Sequence, residues 1–126
     1  MDISIRLSKI NFSTFLGQKV NEVIQVGAEF IKVMFENGNI NVECSWRLRN
    51  QNGILVGCNE QSETDFLTIL KNHLLNTSIT NIYHFEQTED LIIEFDKNLF
   101  LDLFADSTSF EQYQLYQGER LFLIGK

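Results

Sequence analysis

Proline is absent from the 126 residues, and cysteine occurs only twice. Without proline the chain lacks the residue that stiffens extended linkers, which favours one continuous domain. A length of 126 residues suits one domain able to bury a real core. Cys44 and Cys58 have no metal-ligand spacing, and Cys44 falls on the inward face of a predicted strand. That pattern reads as a buried, reduced thiol in a cytoplasmic protein. No run of 18 apolar residues occurs, so no membrane span is expected. The opening MDISIRLSKINF lacks the apolar stretch of a secretory signal.

Positive charge is also scarce. Ten Lys and Arg face seventeen Asp and Glu, a net charge of −7. Residues 1–59 hold six basic and five acidic groups, whereas residues 60–126 hold four basic and twelve acidic ones. Phosphate contacts need a basic surface, so nucleic acid is excluded as a partner. A basic protein partner remains compatible, and so does plain solubility.

Catalytic signatures are missing as well. There is no G-x-S-x-G elbow, no phosphate-binding glycine loop and no EF-hand spacing. His73 and His84 have no nucleophile set beside them, and they read as surface or half-buried polar residues. Glu94 and Asp102 could do acid–base work only if recessed and perturbed; a charged outer sheet face is the simpler reading. No enzyme activity, cofactor or metal is expected.

What the chain does contain is alternation. Residues 30–46, FIKVMFENGNINVECSW, read as a β-hairpin closed at Asn37-Gly38, because a type I′ turn needs residues that tolerate positive φ. In that register Phe35 faces Ile40, Val33 faces Val42, Ile31 faces Cys44, and Lys32 meets Glu43. Ahead of it, residues 2–7 alternate as a short strand. Residues 12–17 form a helical turn ending on Gly17, and Val20, Val23 and Val26 suggest a strand with irregular spacing. Residues 46–49 continue the sheet, and residues 54–57 form a short strand. Residues 62–75 predict the main helix, with Ser62-Glu63-Thr64-Asp65 as a capping box and Asn76 as the left-handed end. Phe66, Ile69, Leu70, His73 and Leu74 share one face.

The second half repeats the first. Leu16, Gly17, Val20 and Val23 match Leu75, Asn76, Ile79 and Ile82, shifted by 59. Ile31, Val33 and Phe35 match Leu91, Ile93 and Phe95, shifted by 60; Ile40, Val42 and Cys44 match Leu99, Leu101 and Leu103, shifted by 59. The second hairpin then turns at Asp96-Lys97-Asn98, with Asn98 left-handed, and pairs Phe95 with Leu99, Ile93 with Leu101 and Leu91 with Leu103. Trp46, Leu48, Ile54 and Val56 match Tyr113, Leu115, Leu121 and Leu123, shifted by 67, so residues 105–111 are an insertion. A last hairpin, Tyr113 to Tyr116 and Leu121 to Ile124, turns at Gln117-Gly118. The expectation is an α+β, antiparallel β-rich single domain of two repeats, about 12–57 and 62–125. Each repeat is a helix plus four strands, and together they form a bent sheet, sandwich or partial barrel.

Two clusters are candidate binding residues. One is Trp46, Arg47 and Arg49, since Trp and Arg are enriched at interface hot spots. The other is acidic: Glu86, Glu89, Asp90, Glu94, Asp96, Asp102, Asp106 and Glu111.

Several stretches resemble a family of small uncharacterised bacterial proteins. They are Val42-Glu43-Cys44-Ser45-Trp46-Arg47-Leu48, Asn52-Gly53-Ile54-Leu55, Asp90-Leu91 with Phe95, Leu99 with Leu101, Phe110-Glu111 with Tyr113 and Leu115, and Leu123-Ile124-Gly125. The resemblance spans roughly residues 17–125, with Tyr113 standing where the family pattern has Trp. Its members resemble immunity proteins encoded beside polymorphic or contact-dependent toxins. The resemblance implies a protein that binds and neutralises a cognate toxin, through an acidic surface, and carries over no catalytic residues. The alternatives are a small-molecule or peptide-binding module with a pocket between the repeats, and a homodimer paired through a hairpin edge.

Overall fold

The computed structural model describes residues 6–27, 30–57, 65–105 and 112–125. Apolar–polar alternation builds ten strands, accompanied by one α-helix, among these residues. They are β1 (Val20–Val26), β2 (Phe30–Phe35), β3 (Gly38–Val42), β4 (Ser45–Asn50), β5 (Gly53–Gly57), α1 (Phe66–Leu74), β6 (Ile79–His84), β7 (Leu91–Phe95), β8 (Leu99–Phe104), β9 (Tyr113–Gln117) and β10 (Arg120–Gly125). The fold is α+β and mostly antiparallel β. Two five-stranded sheets form, ordered β1-β2-β3-β9-β10 and β5-β4-β8-β7-β6. The inward faces of both, including Val33, Ile40 and Leu115 on the first and Leu48, Leu101 and Ile93 on the second, close one core. Each such side chain contributes about 1.5–3 kcal/mol by leaving water. The helix α1 lies against β1 and β5, where Phe66 meets the indole of Trp46 at 5.7 Å between ring centroids.

The two sheets share one pairing pattern. Val20 pairs with Phe35 and Val23 with Val33; in the other sheet Ile79 pairs with Phe95 and Ile82 with Ile93. Both β1 and β6 carry a bulge, between Val20 and Glu22 and between Ile79 and Asn81. The bulge explains why Val20 and Val23 both point inward despite their odd spacing. At the other edges Leu48 pairs with Val56 and Arg49 with Ile54; Leu115 pairs with Leu123 and Tyr116 with Leu121. The sheets also meet strand end to strand end. Val20 N–H donates to the Thr77 carbonyl, and Ile79 N–H to that of Gln18. Gly17 N–H donates to the Ile79 carbonyl, and Asn76 N–H to that of Val20. Gly17 and Asn76 both hold positive φ, +88° and +68°.

Several expectations are corrected. The first hairpin turns at Glu36-Asn37, not Asn37-Gly38: Phe35 pairs with Gly38, Val33 with Ile40 and Ile31 with Val42. The slip is two residues, so the inward face is unchanged. Its cause is Gly38, drawn into β3 at φ +146°, where an added Cβ would lie 2.2 Å from the Tyr116 carbonyl oxygen. Lys32 consequently faces Asn41 rather than Glu43, which accepts from the Gln114 amide at 3.2 Å. The second hairpin pairs as expected, Leu91 with Leu103, Ile93 with Leu101 and Phe95 with Leu99. Both Lys97 and Asn98 take positive φ there. The second hairpin thus has one more turn residue than the first, not one fewer.

Residues 46–49 do not extend the first sheet. After Val42 the chain crosses, and β4 begins in the second sheet. The last hairpin turns at Gly118-Glu119 rather than Gln117-Gly118. Each half supplies five strands rather than four, and the helical turn near residue 14 is a single 3₁₀ turn, Ser13–Phe15. The main helix starts at Phe66, because Asp65 is itself the N-cap and accepts from Thr68 N–H. Residues 62–64 of the expected capping box lie outside the described residues. So do Cys58, residues 2–5 of the first strand, and residues 106–111 of the insertion. His73 is exposed; Leu70 and Leu74 carry the buried face of α1.

Candidate functional site

Period-two alternation along β4 sends Trp46 and Leu48 into the core and Arg47 and Arg49 out onto the face of the second sheet. The neighbouring strand β8 places Asp102 opposite Arg47 and Phe100 opposite Arg49. One carboxylate oxygen, Asp102 Oδ2, accepts from both arginines, each Nε at 2.7 Å. Asp102 is 2% exposed, whereas the two arginine side chains are 40% and 30% exposed. The Arg47 guanidinium lies 5.0 Å from the Phe104 ring centroid and that of Arg49 lies 4.3 Å from Phe100. Ion pairing and cation–π contact therefore hold both forks in place. Farther along the same face Glu94 accepts from the Tyr83 hydroxyl at 2.8 Å. That bond to a carboxylate raises the Tyr83 hydroxyl above the ordinary phenol range.

The other acidic candidates separate by position. Glu86, Glu89 and Asp90 lie in the loop joining β6 to β7. That loop is tied to both flanks of residues 106–111. Asp90 Oδ1 accepts from Ala105 N–H at 2.8 Å, and the Tyr113 hydroxyl donates to the Glu89 carbonyl at 2.8 Å. Asp96 lies at the opposite end of β7, where it accepts from Ser78 N–H. Asp106 and Glu111 lie outside the described residues. Glu94 and Asp102 are not cross-strand partners: Glu94 pairs with Phe100, and Asp102 with Ile92. Trp46 is a core residue, 2% exposed.

Beneath the acidic loop lie two buried side chains that carry polar atoms, His84 and Tyr113. His84 is 5% exposed, with Nε2 3.3 Å from Glu89 Oε1, and Cys44 is a buried member of the core. Tyr113 is fully buried, and burial first, then the charges of Glu89, Cys44 and Asp90, push its hydroxyl far above the ordinary phenol range. No group of three or more His, Cys, Asp or Glu suited to a metal occurs among the described residues. No helix among them is long and apolar enough to cross a membrane.

Phe100, Phe104 and Tyr83 were not among the sequence candidates. The signal for the two phenylalanines was the run Leu99–Phe104, LFLDLF, which is apolar on both faces rather than one; Tyr83, in β6, had no such signal. The pairing of Arg47 and Arg49 with Asp102 had no local signal, because the contact spans 55 and 53 residues.

Fold and face together define a two-sheet antiparallel α+β protein with a polar, aromatic-backed outer face on its second sheet. No protein-family model matches the chain, and neither a curated protein nor a solved structure is significantly similar to it.

Proposed function

We propose that this protein is a non-catalytic, immunity-type inhibitor that binds a cognate bacterial toxin and covers a basic surface on it. The observation that supports this reading is the acidic end of the second sheet. Glu86, Glu89 and Asp90 occupy one loop, and that loop is hydrogen-bonded to both flanks of the segment carrying Asp106 and Glu111. Carboxylates gathered at one end steer and orient a cationic partner, and they do so more strongly at low salt. The same chain carries a net charge of −7.

We also infer an internal duplication. Each half gives three strands to one sheet and two to the other; the bulges fall at matching positions, and the strand-end hydrogen bonds are reciprocal. Duplicated scaffolds free one copy to diverge, and the acidic loop and the 105–111 insertion both belong to the second copy.

The test is capture from the native host, together with co-expression with the neighbouring open reading frame. The neighbour is expected to be toxic alone and harmless when this protein is present. Reversal of the exposed Glu86 to Lys is expected to weaken protection while the fold stays intact. A neighbour that is harmless alone, with no captured partner, overturns the reading.

A further inference from the structure

Arg47 and Arg49 form a positive spot on the second sheet, which otherwise carries Glu94 on its outer face and Glu86, Glu89 and Asp90 at one end. Two guanidiniums share one carboxylate, so the cluster keeps a net positive charge. Each fork donates from Nε to Asp102, and neither makes another hydrogen bond among the described residues. A guanidinium carries five N–H donors in a fixed plane. Among the described residues the amino groups of both arginines are therefore unspent, on side chains 40% and 30% exposed.

The fold does not demand this cluster. In the first sheet the cross-strand pair Asn41 with Gln114 occupies the place of Asp102 with Arg47. The pair Asn39 with Tyr116 occupies the place of Phe100 with Arg49. The same backbone register is thus completed by neutral residues in one sheet and by an Arg–Asp–Arg set over two phenylalanines in the other. Burying Asp102 costs desolvation that the neutral version avoids. The return is pre-organisation: each fork is pinned by a shared oxygen on one side and an aromatic ring beneath.

We propose that Arg47 and Arg49 are a docking point for carboxylates of a protein partner, an acidic peptide segment received on the outer face of the second sheet. Paired forks match carboxylate geometry bidentately, which a single ammonium does not. A protein is favoured over nucleic acid because Glu94 on the same face and Glu86, Glu89 and Asp90 at the end of the same sheet repel an extended phosphate chain but tolerate one or two carboxylates locally. The inference does not depend on the acidic loop: it concerns the opposite charge, carried by the outer face of the second sheet.

The experiment titrates the intact protein with an N-acetylated, C-amidated diglutamate at constant ionic strength, and follows the arginine Nε–Hε cross-peaks by NMR. The Arg47 and Arg49 peaks are expected to move together and saturate. The double substitution Arg47→Lys with Arg49→Lys keeps the charge and is expected to weaken binding at least tenfold, with backbone amide dispersion unchanged. If that variant does not fold, Arg49→Lys alone is read in the same way. The proposal is overturned if neither peak moves, if the Lys variant binds equally well, or if a single-stranded oligonucleotide saturates these peaks and the peptide does not. A variant that loses thermal stability while binding the peptide normally shows a purely structural cluster and also overturns it.

Discussion

Tyr113 shows how much one side chain can carry. Its ring lies in the core, its hydroxyl reaches the Glu89 carbonyl, and burial holds the hydroxyl in its neutral form. An unfolded tyrosine ionises near pH 10. Below that pH both states keep the proton and stability does not change on this account. Above it the unfolded chain releases a proton that the folded chain retains, so stability falls by about 1.4 kcal/mol per pH unit. Urea denaturation between pH 9 and 11 should show stability falling above about pH 10, and Tyr113→Phe should make the fall shallower, with Tyr83 supplying the remainder. Asp102 makes a second residue-scale case. It anchors two charged donors through one oxygen, so Asp102→Asn should cost about 1.5–3 kcal/mol in a urea series. The same variant should broaden the Arg47 and Arg49 Nε signals, because both forks lose their anchor.

At the scale of elements, the two hairpins solve one problem in two ways. Between β2 and β3 the turn has two residues, and Gly38 lies so close to β9 that no side chain fits. Between β7 and β8 the turn has three residues, and Lys97 and Asn98 both sit at positive φ. Asparagine tolerates that region, but lysine has no local hydrogen bond to offset its Cβ clash. Lys97→Gly should therefore stabilise the protein by about 0.5–1 kcal/mol, the left-handed strain outweighing the extra chain entropy. Gly38→Ala should act in the opposite sense and separate β3 from β9, costing about 2 kcal/mol or more. Thermal melts of the two variants, read together, check whether the turns differ in this way.

At the scale of the whole molecule, neither half completes a sheet. Strands β1 to β3 need β9 and β10, and β6 to β8 need β4 and β5. Residues 1–60 and 61–126, expressed separately, should each lack a cooperative unfolding transition. Mixed at equal concentration, they should regain the β-sheet circular dichroism of the intact chain. A fragment that melts cooperatively alone would show that one half buries its own face, contrary to the strand order.

Local pattern determined the strands, the inward faces, the second hairpin's register, the left-handed Asn76 and Asn98, and the helix centred on Leu70. These follow from side-chain period and from residues that tolerate positive φ, and both are properties of short stretches. Tertiary structure decided the rest. The first turn moved by two residues because β9 presses on Gly38, a contact 78 positions away in sequence. The chain's crossing after Val42 sent Arg47 and Arg49 to the second sheet, where Asp102 was waiting between two phenylalanines. It also made Trp46 a core residue beside Phe66. Which strands become neighbours is set by how two apolar faces close on each other, and no window of sequence shorter than the fold contains that information.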